Sequence, residues 1–409
     1  MNVDNIPAKV KDTLSTWGQA RITCPPQLAN GLDTLKVSFW IEWEDESFLN
    51  ELENLKRQVQ QFPHITSLPY HCPGGFDWNV DRTGTKLFTY RLTSGDLTLL
   101  CNTRIAEGNV PNLRLEIGSQ SCWIPGYNEI YERFYLWISA LGGKIIKEII
   151  SEVHLTVDVI GFPIADTQVE NRDFWVSQSQ YFSTYNQGRQ LSGISIGKGE
   201  TRLRIYDKVL ELRQSHHKQE TFSQIWGTKI YDEKPVTRVE FQIRRPILKD
   251  FRISESAETG IDTFKDLIPS LSVLWEYCTQ IWSKHCSGPV DHENNHQSRT
   301  NISEFWHTVS SVDWGDCSNF SKQKSRPNKD LVALRKQFRG IGMTIASFSE
   351  ANVEDLDHII WIAKDTIEDE LTTFYHDDEI EFIKRMKKKK REIFDAISSP
   401  HLEPEGCYD

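Results

Sequence analysis

The sequence predicts an α+β fold: a central, mostly antiparallel β-sheet with helices packed on one face, followed by an α-helical C-terminal region. Three observations carry this expectation. Over the first 250 or so residues, segments with period-two alternation mix with segments of helical spacing, without the regular strand–helix–strand rhythm of a doubly wound parallel sheet. The alternating segments put ionisable residues on one side and aliphatic ones on the other, as in an antiparallel sheet with one wet face. From about residue 260 the pattern turns helical.

Each element has its own reason. GLDTLKVSF (31–39) reads as a strand beginning after a turn, and DESFLNELENLKRQVQQF (45–62) as a helix with Phe48, Leu49, Leu52, Leu55 and Val59 along one side. Short strands are expected at 87–93, 97–101 and 112–118, separated by Gly, Asp and Asn. GYNEIYERFYLWISALG (126–142) is an amphipathic helix ending at Gly142-Gly143, and EVHLTVDVIG (152–161) alternates as a strand. The aromatic segment 170–186 fits either a helix or a loop. GISIGKGETRLRIYDKVLELR reads as a hairpin turning at Gly197-Lys198-Gly199, and PVTRVEFQIRRP (235–246) as a further strand. The polar connectors 287–301 and 318–330 flank helices expected at 329–348 and 353–374. The division is thus an N-terminal extension (1–29), an α+β domain (30–255), a helical extension and linker (256–317), and an α-helical C-terminal domain (318–409). The last ends in the basic helix EFIKRMKKKKREIF (381–394), which fits a solvated helix end as well as a DNA-backbone contact.

The chain has 409 residues, of which 38% are hydrophobic, with 13 Trp and 20 Phe, enough for a sizeable core and for two or three domains. No run approaches the roughly 20 apolar residues that span a bilayer, and the first residues lack the apolar stretch of a signal peptide. The eight cysteines form no CxxC pair, so a cytoplasmic protein with reduced thiols is expected. Net charge is −11, yet residues 189–249 hold 13 Lys/Arg against 7 Asp/Glu. Screening confines distant charge to about 8–10 Å, so a local basic face can still meet phosphate. Composition neither requires nor excludes DNA.

The chemistry-bearing residues lie on four strand-like segments: Glu116 in NLRLEIG, His154 and Asp158 in EVHLTVDV, Tyr206 among Arg202, Arg204 and Lys208, and Glu240 between Arg238 and Gln242. Alternate residues of a strand share a face. Laid side by side, these strands would form one ionisable surface over an apolar underside. Carboxylates from different strands, with or without a histidine, make an oxygen-rich site suited to Mg²⁺ or Mn²⁺. Such an ion polarises a phosphate for attack by a nearby phenol. Ordinary wet sheet faces carry the same alternation, so the bland and the chemical reading both stand on spacing alone. Acids are nonetheless depleted in strands, and three of them here exceed that expectation.

The order GLDTLKVSF, LRLEIGSQSCW, EVHLTVDV, ISIGKGETRLRIYDK, TRVEFQIRRP resembles the replication initiation factor family over residues 30–250. Its members are initiators of rolling-circle plasmids and phages and related conjugative relaxases. The most specific piece is the glycine turn, the R-x-Y-D-K strand and the later T-R-V-E strand, in that order. The resemblance implies a site-specific DNA nicking-closing endonuclease. In that reaction Tyr206 attacks a backbone phosphate, leaving a 5′-phosphotyrosyl bond and a free 3′-hydroxyl primer. It implies Lys208 as a phosphate-facing cation, Glu116, Asp158, Glu240 and His154 around a divalent metal, and Arg202, Arg204 and Arg238 as DNA contacts. Partners implied are an origin with a single-stranded or cruciform nick site, a host helicase and a second copy of the chain, with no membrane. A relaxase with the same chemistry and a non-catalytic DNA-binding regulator are the alternatives. The family pattern carries an acid near His154, and a second Tyr-Asp-x-Lys sequence at Tyr231 lacks the Arg-x-Arg face and ranks below Tyr206.

Overall fold

A computed structural model describes residues 27–71, 75–103, 110–228, 234–254, 256–290, 301–315, 318–323, 331–349, 352 and 354–394. Tyr231 and most of the N-terminal extension lie outside these residues. The chain divides into two compact units, Met1–Gln323 and Lys324–Asp409.

The first unit is built on β1 (Gln27–Trp43), β2 (Ser67–Tyr70), β3 (Trp78–Asp81), β4 (Tyr90–Ser94), β5 (Leu97–Cys101), β6 (Leu113–Ile117), β7 (Gly143–Ile160), β8 (Trp175–Ser177), β9 (Phe182–Gln187), β10 (Gln190–Ile196), β11 (Thr201–Asp207) and β12 (Val236–Arg244). Eleven of these form one sheet in the order β2-β3-β4-β5-β6-β1-β7-β12-β11-β10-β9, with antiparallel pairing throughout. Only β8 stands apart, paired with Ser283–His285. The expected α+β class with an antiparallel sheet is what the chain adopts.

β1 and β7 are much longer than the sequence pattern indicates and form the spine. Their pairing slips in several places, and one slip matters for the site. Leu32 faces Leu155 and Thr34 faces His154, which leaves Asp33 as the extra residue of a β-bulge. Along β7 and β12, Val153, Leu155, Val157, Val239, Phe241 and Ile243 point to one face and are fully buried. The opposite face carries His154, Thr156, Asp158, Arg238 and Glu240, and these are buried as well. The segment 170–186, expected to be a helix or a loop, instead forms a short 3-10 turn at Arg172–Phe174 followed by β8 and β9.

Among the helices of the first unit are α1 (Ser47–Gln61), α2 (Tyr127–Ala140), α3 (Lys208–Gln214), α4 (Gln219–Trp226), α5 (Leu271–Glu276) and α6 (Glu304–Ser310). Four of them seal the apolar face. Phe39 meets Phe134 of α2, whose neighbour Trp137 lies edge-on to Phe48 of α1. Phe241 meets Trp275 of α5 and Trp306 of α6. Trp275 and Trp306 belong to the segment 256–317, expected to be a helical extension and linker, and supply the floor beneath β12. The small α3–α4 pair packs instead on one end of the polar face, where Leu212, Phe222 and Trp226 join Ile160 and Val236 in a second apolar cluster.

His285, beside this floor, is buried with Nδ1 at 2.8 Å from the Ser303 hydroxyl and its ring against Trp175. Burial depresses its pKa from 6.5 to about 4. The unfolded chain therefore takes up this proton first. The resulting stability is fully present above pH 6.5 and is lost as the pH falls toward 4. The loss is on the order of 3 kcal/mol. Urea titrations at a series of pH values should show this slope, and His285→Gln should flatten it.

The second unit contains α7 (Leu331–Phe348), α8 (Leu356–Asp377) and α9 (Glu379–Phe394). Asp355 caps α8 through the backbone N–H of His358, and the start of α9 is held by Asp378 accepting from the Glu381 N–H. Within α9, Lys384 and Arg385 both pair with Glu381. Among the described residues no helix is long and apolar enough to cross a membrane.

Candidate functional site

The polar face of the sheet is ordered by register. β11 and β12 pair Arg202 with Gln242, Arg204 with Glu240, and Tyr206 with Arg238, while β12 and β7 pair Arg238 with Asp158 and Gln242 with His154. All these side chains consequently rise from one face over three neighbouring strands. Tyr206 and Glu240 are diagonal neighbours, and the half-buried phenol donates to Glu240 Oε2 at 3.0 Å. Diagonal pairs across strands are within reach of long side chains.

Glu240 is the hub. His154 Nδ1 lies 3.1 Å from its Oε1, Gln242 Nε2 donates to the same oxygen at 2.8 Å, and Arg204 Nη1 is 3.6 Å from Oε2. Burial opposes its charge, but the hydrogen bond and charge of His154, the charge of Arg204 and the Gln242 hydrogen bond together outweigh that and hold Glu240 well below the usual carboxylate range. On the far side of the imidazole, Nε2 meets Glu152 Oε1 at 2.8 Å. Burial acts against a charge on His154 too, yet hydrogen bonds to Glu152 and Glu240 raise its pKa to about 9. His154 is thus an imidazolium at neutral pH, bracketed by two carboxylates. Tyr206 moves the other way: burial, then the charge of Glu240, pushes its pKa well above 10.

One residue completes the group. Asp33, His154 and Glu240 each offer a ligand atom within 4.8 Å of the others. Asp33 reaches this position because the bulge turns it onto the polar face, where Arg238 Nη1 bonds its Oδ1. Sequence reasoning missed it, although a signal was present: Leu32 and Leu35 are three apart, breaking the alternation that Leu35, Val37 and Phe39 keep. A one-residue slip of that kind marks a bulge.

The residues expected to act together are sorted more finely by the fold. His154, Glu240 and Tyr206 converge, with Arg204 over the Tyr206 ring at 4.9 Å from its centroid. Asp158 does not join the ligand group. Both its oxygens are engaged, Oδ1 by Arg238 Nε at 2.6 Å and Oδ2 by Arg238 Nη2 at 2.7 Å and Trp226 Nε1 at 2.8 Å. Arg238 is fully buried between Asp158 and Asp33, over the Phe222 ring, and presents no surface to a phosphate. Glu116 sits on β6 opposite Lys36, in the row of Glu152, and is not one of the three grouped ligands.

Lys208 opens α3 and is buried, its Nζ 2.6 Å from Glu211 and 4.7 Å from the Phe222 ring centroid. Burial and the charge of Arg238 lower its pKa. Arg202 stays near the surface, its Nε donating to the Ser195 hydroxyl at 2.8 Å. A cleft of about 680 Å³ opens beside Tyr206, with Arg202, Arg204 and Gly193 among its walls.

No protein-family model matches the chain, and no curated protein matches it. Among solved structures it is similar to a rolling circle replication initiator protein from Geobacillus stearothermophilus. The two share 13% identity over 71% of this chain and all of that one, with a TM-score of 0.40. A likeness this distant carries no argument about chemistry.

Proposed function

We propose that this chain is a metal-assisted DNA strand-nicking enzyme in which the Tyr206 hydroxyl attacks a backbone phosphate. The observation that carries the reading is the hydrogen bond from the Tyr206 phenol to Glu240, a residue that also belongs to a three-residue ligand group. A nucleophile and an ion-holding cluster sharing one carboxylate is the arrangement phosphoryl transfer needs.

The donor set suits a divalent ion. Two carboxylates and an imidazole match Mn²⁺ well and Mg²⁺ less well, because imidazole is softer than oxygen. The proton that His154 now holds between Glu152 and Glu240 is a positive charge at the same place, so exchanging it for a cation leaves the carboxylates compensated. Asp33, His154 and Glu240 would hold the ion. When bound, it supplies charge that polarises a phosphate and offsets Glu240.

The chain's own residues do the remainder. Glu240 fixes the phenol hydroxyl by accepting its hydrogen bond, and Arg204 lies over the ring with much of its guanidinium open to a phosphate. In the reaction the phenolic oxygen forms a bond to phosphorus, the bond from phosphorus to the 3′-oxygen breaks, and the phenol proton passes to solvent. The departing 3′-oxygen takes up a proton to become a hydroxyl. Energy of the broken ester is kept in the tyrosyl ester, which permits rejoining. Asp158 and Arg238 have a positioning role: Asp158 clamps Arg238, and Arg238 aims Asp33.

Supercoiled DNA carrying the cognate origin, incubated with Mn²⁺ or Mg²⁺, tests the reading. Wild type should give open-circle DNA and a covalent protein–DNA adduct, and Tyr206→Phe should give neither above background. Equal nicking by the phenylalanine variant would move the nucleophile elsewhere, with Tyr231 next in line.

A further inference from the structure

The basic helix α9 contributes none of the residues grouped around Tyr206. It combines two features that seldom share one helix. Between Glu379 and Phe394 it carries seven Lys/Arg against three Glu, and all seven fall within residues 384–391. One of the three acids is already engaged, since Glu381 pairs with both Lys384 and Arg385. On the same helix Ile380 is 82% and Met386 56% exposed, and Ile383 is open to solvent as well.

The start of α9 is anchored on α8. Phe382 meets Phe374 with ring centroids 5.5 Å apart and Tyr375 at 5.4 Å, and Arg385 covers the Phe374 ring. The Tyr375 hydroxyl donates to Glu379 at 2.7 Å. Beyond that anchor, Ile383 and Met386 lie three apart and share a face, which the sequence continues through Lys390 and Ile393. The same combination recurs on α7, which has three cations, no acid, and Phe338, Ile341 and Phe348 exposed. Helices α7, α8 and α9 together hold twelve of the twenty-four large hydrophobic side chains exposed among the described residues. Apolar side chains concentrated in this way mark a surface that meets a partner.

We infer that α9 is an interfacial helix that lies, reversibly, on the anionic surface of a lipid bilayer. Lying on a bilayer requires no long apolar span. It requires an apolar row to enter the headgroup boundary and cations to meet lipid phosphates. Three kinds of partner suit a basic helix, and the residues of α9 separate them. A DNA backbone takes up the cations but has no use for an exposed Ile380 or Met386. A second helix would cover the apolar row but enclose Lys390 within it, unpaired. At a bilayer a lysine stem lies along the apolar layer while its ammonium reaches the headgroups. The inference stands apart from the reading of Tyr206: it concerns where the chain is held, and neither depends on the other.

Flotation of the full chain with lipid vesicles tests this without DNA or metal. Wild type should float with vesicles of phosphatidylglycerol and phosphatidylcholine in equal parts, stay behind with phosphatidylcholine alone, and be released as salt rises. A variant carrying Lys387→Gln, Lys388→Gln, Lys389→Gln and Lys390→Gln should partition about a hundredfold or more weakly, since each cation near such a surface counts for roughly fivefold. Ile383→Ser with Met386→Ser keeps every charge and should still lose about tenfold or more. No flotation of wild type, or equal flotation of the serine variant, would overturn the inference. A wild type indifferent to vesicles, whose binding to a random DNA duplex falls in the glutamine variant, would overturn it too and make α9 a DNA-backbone contact. A wild type indifferent to vesicles, whose oligomeric state changes in the serine variant, would make the row a helix–helix seam instead.

Discussion

Replacing Arg238 with methionine is expected to cost the first unit about 3–5 kcal/mol of stability, the largest single-residue effect in the molecule. The guanidinium is fully buried and makes two hydrogen bonds to Asp158, which is equally buried. Methionine fills part of the volume but leaves a carboxylate without its partner in a low-dielectric interior, where an uncompensated charge is far more costly than the pair. Trp226 would remain as the donor to one oxygen only. Urea unfolding followed by tryptophan fluorescence measures the loss. The double variant Arg238→Met with Asp158→Leu should recover most of it, because the orphaned charge is gone. A single variant as stable as wild type would mean that the pair does not hold the polar face together. A surface DNA contact, by contrast, would alter salt-dependent binding and leave stability untouched.

The second large effect concerns which carboxylates hold the ion. Mn²⁺ titrations followed by electron paramagnetic resonance should show affinity falling about a hundredfold or more in Asp33→Asn and in Glu240→Gln, given that even supporting residues cost 10–100-fold. Glu116→Gln should bind within about twofold of wild type, since Glu116 lies outside the three-residue group. The reasoning is geometric. Glu116 is on β6, separated from β7 by the whole of β1, and its row neighbour Lys36 turns to Glu152 at 3.4 Å. Should Glu116→Gln abolish binding while Asp33→Asn leaves it intact, the ligand set proposed for this site is wrong. Adduct formation should follow affinity across the same series.

The two experiments bear on different layers of one face. Asp158 and Arg238 form the lower layer, sealed by Phe222 and Trp226 of α4. Asp33, His154, Glu240 and Tyr206 form the upper one, nearer to solvent. The lower layer is costly to break and fixes where the upper layer's Asp33 points.

Much of this was legible from spacing. Alternation in TRVEFQIRR and EVHLTVDV correctly assigns Glu240 and His154 to one face and Val239, Phe241 and Leu155 to the other, because the period of a strand is two wherever the ladder is regular. The same rule placed Arg204 and Tyr206 with them. It could not tell Asp158 from Glu240. Both are strand carboxylates on the polar face, and only the docking of α4, which brings Trp226 to Asp158, makes one a buried anchor and the other a hub. Lys208 shows the limit of the rule from the other side: two residues beyond Tyr206 the strand has already become α3, so its ammonium turns inward to Glu211.

The amino-acid sequence by itself determined the antiparallel α+β class, the two-faced strands and the presence of Tyr206 and Glu240 on one surface, since local periodicity reports which side of a strand a residue occupies. Which residues on that surface meet was decided only by the tertiary structure. Strand order and the bulge at Asp33 set distances between segments remote in sequence, and α4 supplied the Trp226 donor that helps tie up Asp158. Periodicity along a strand carries no record of which strand lies beside it, and that neighbour is what turns a row of charges into a site.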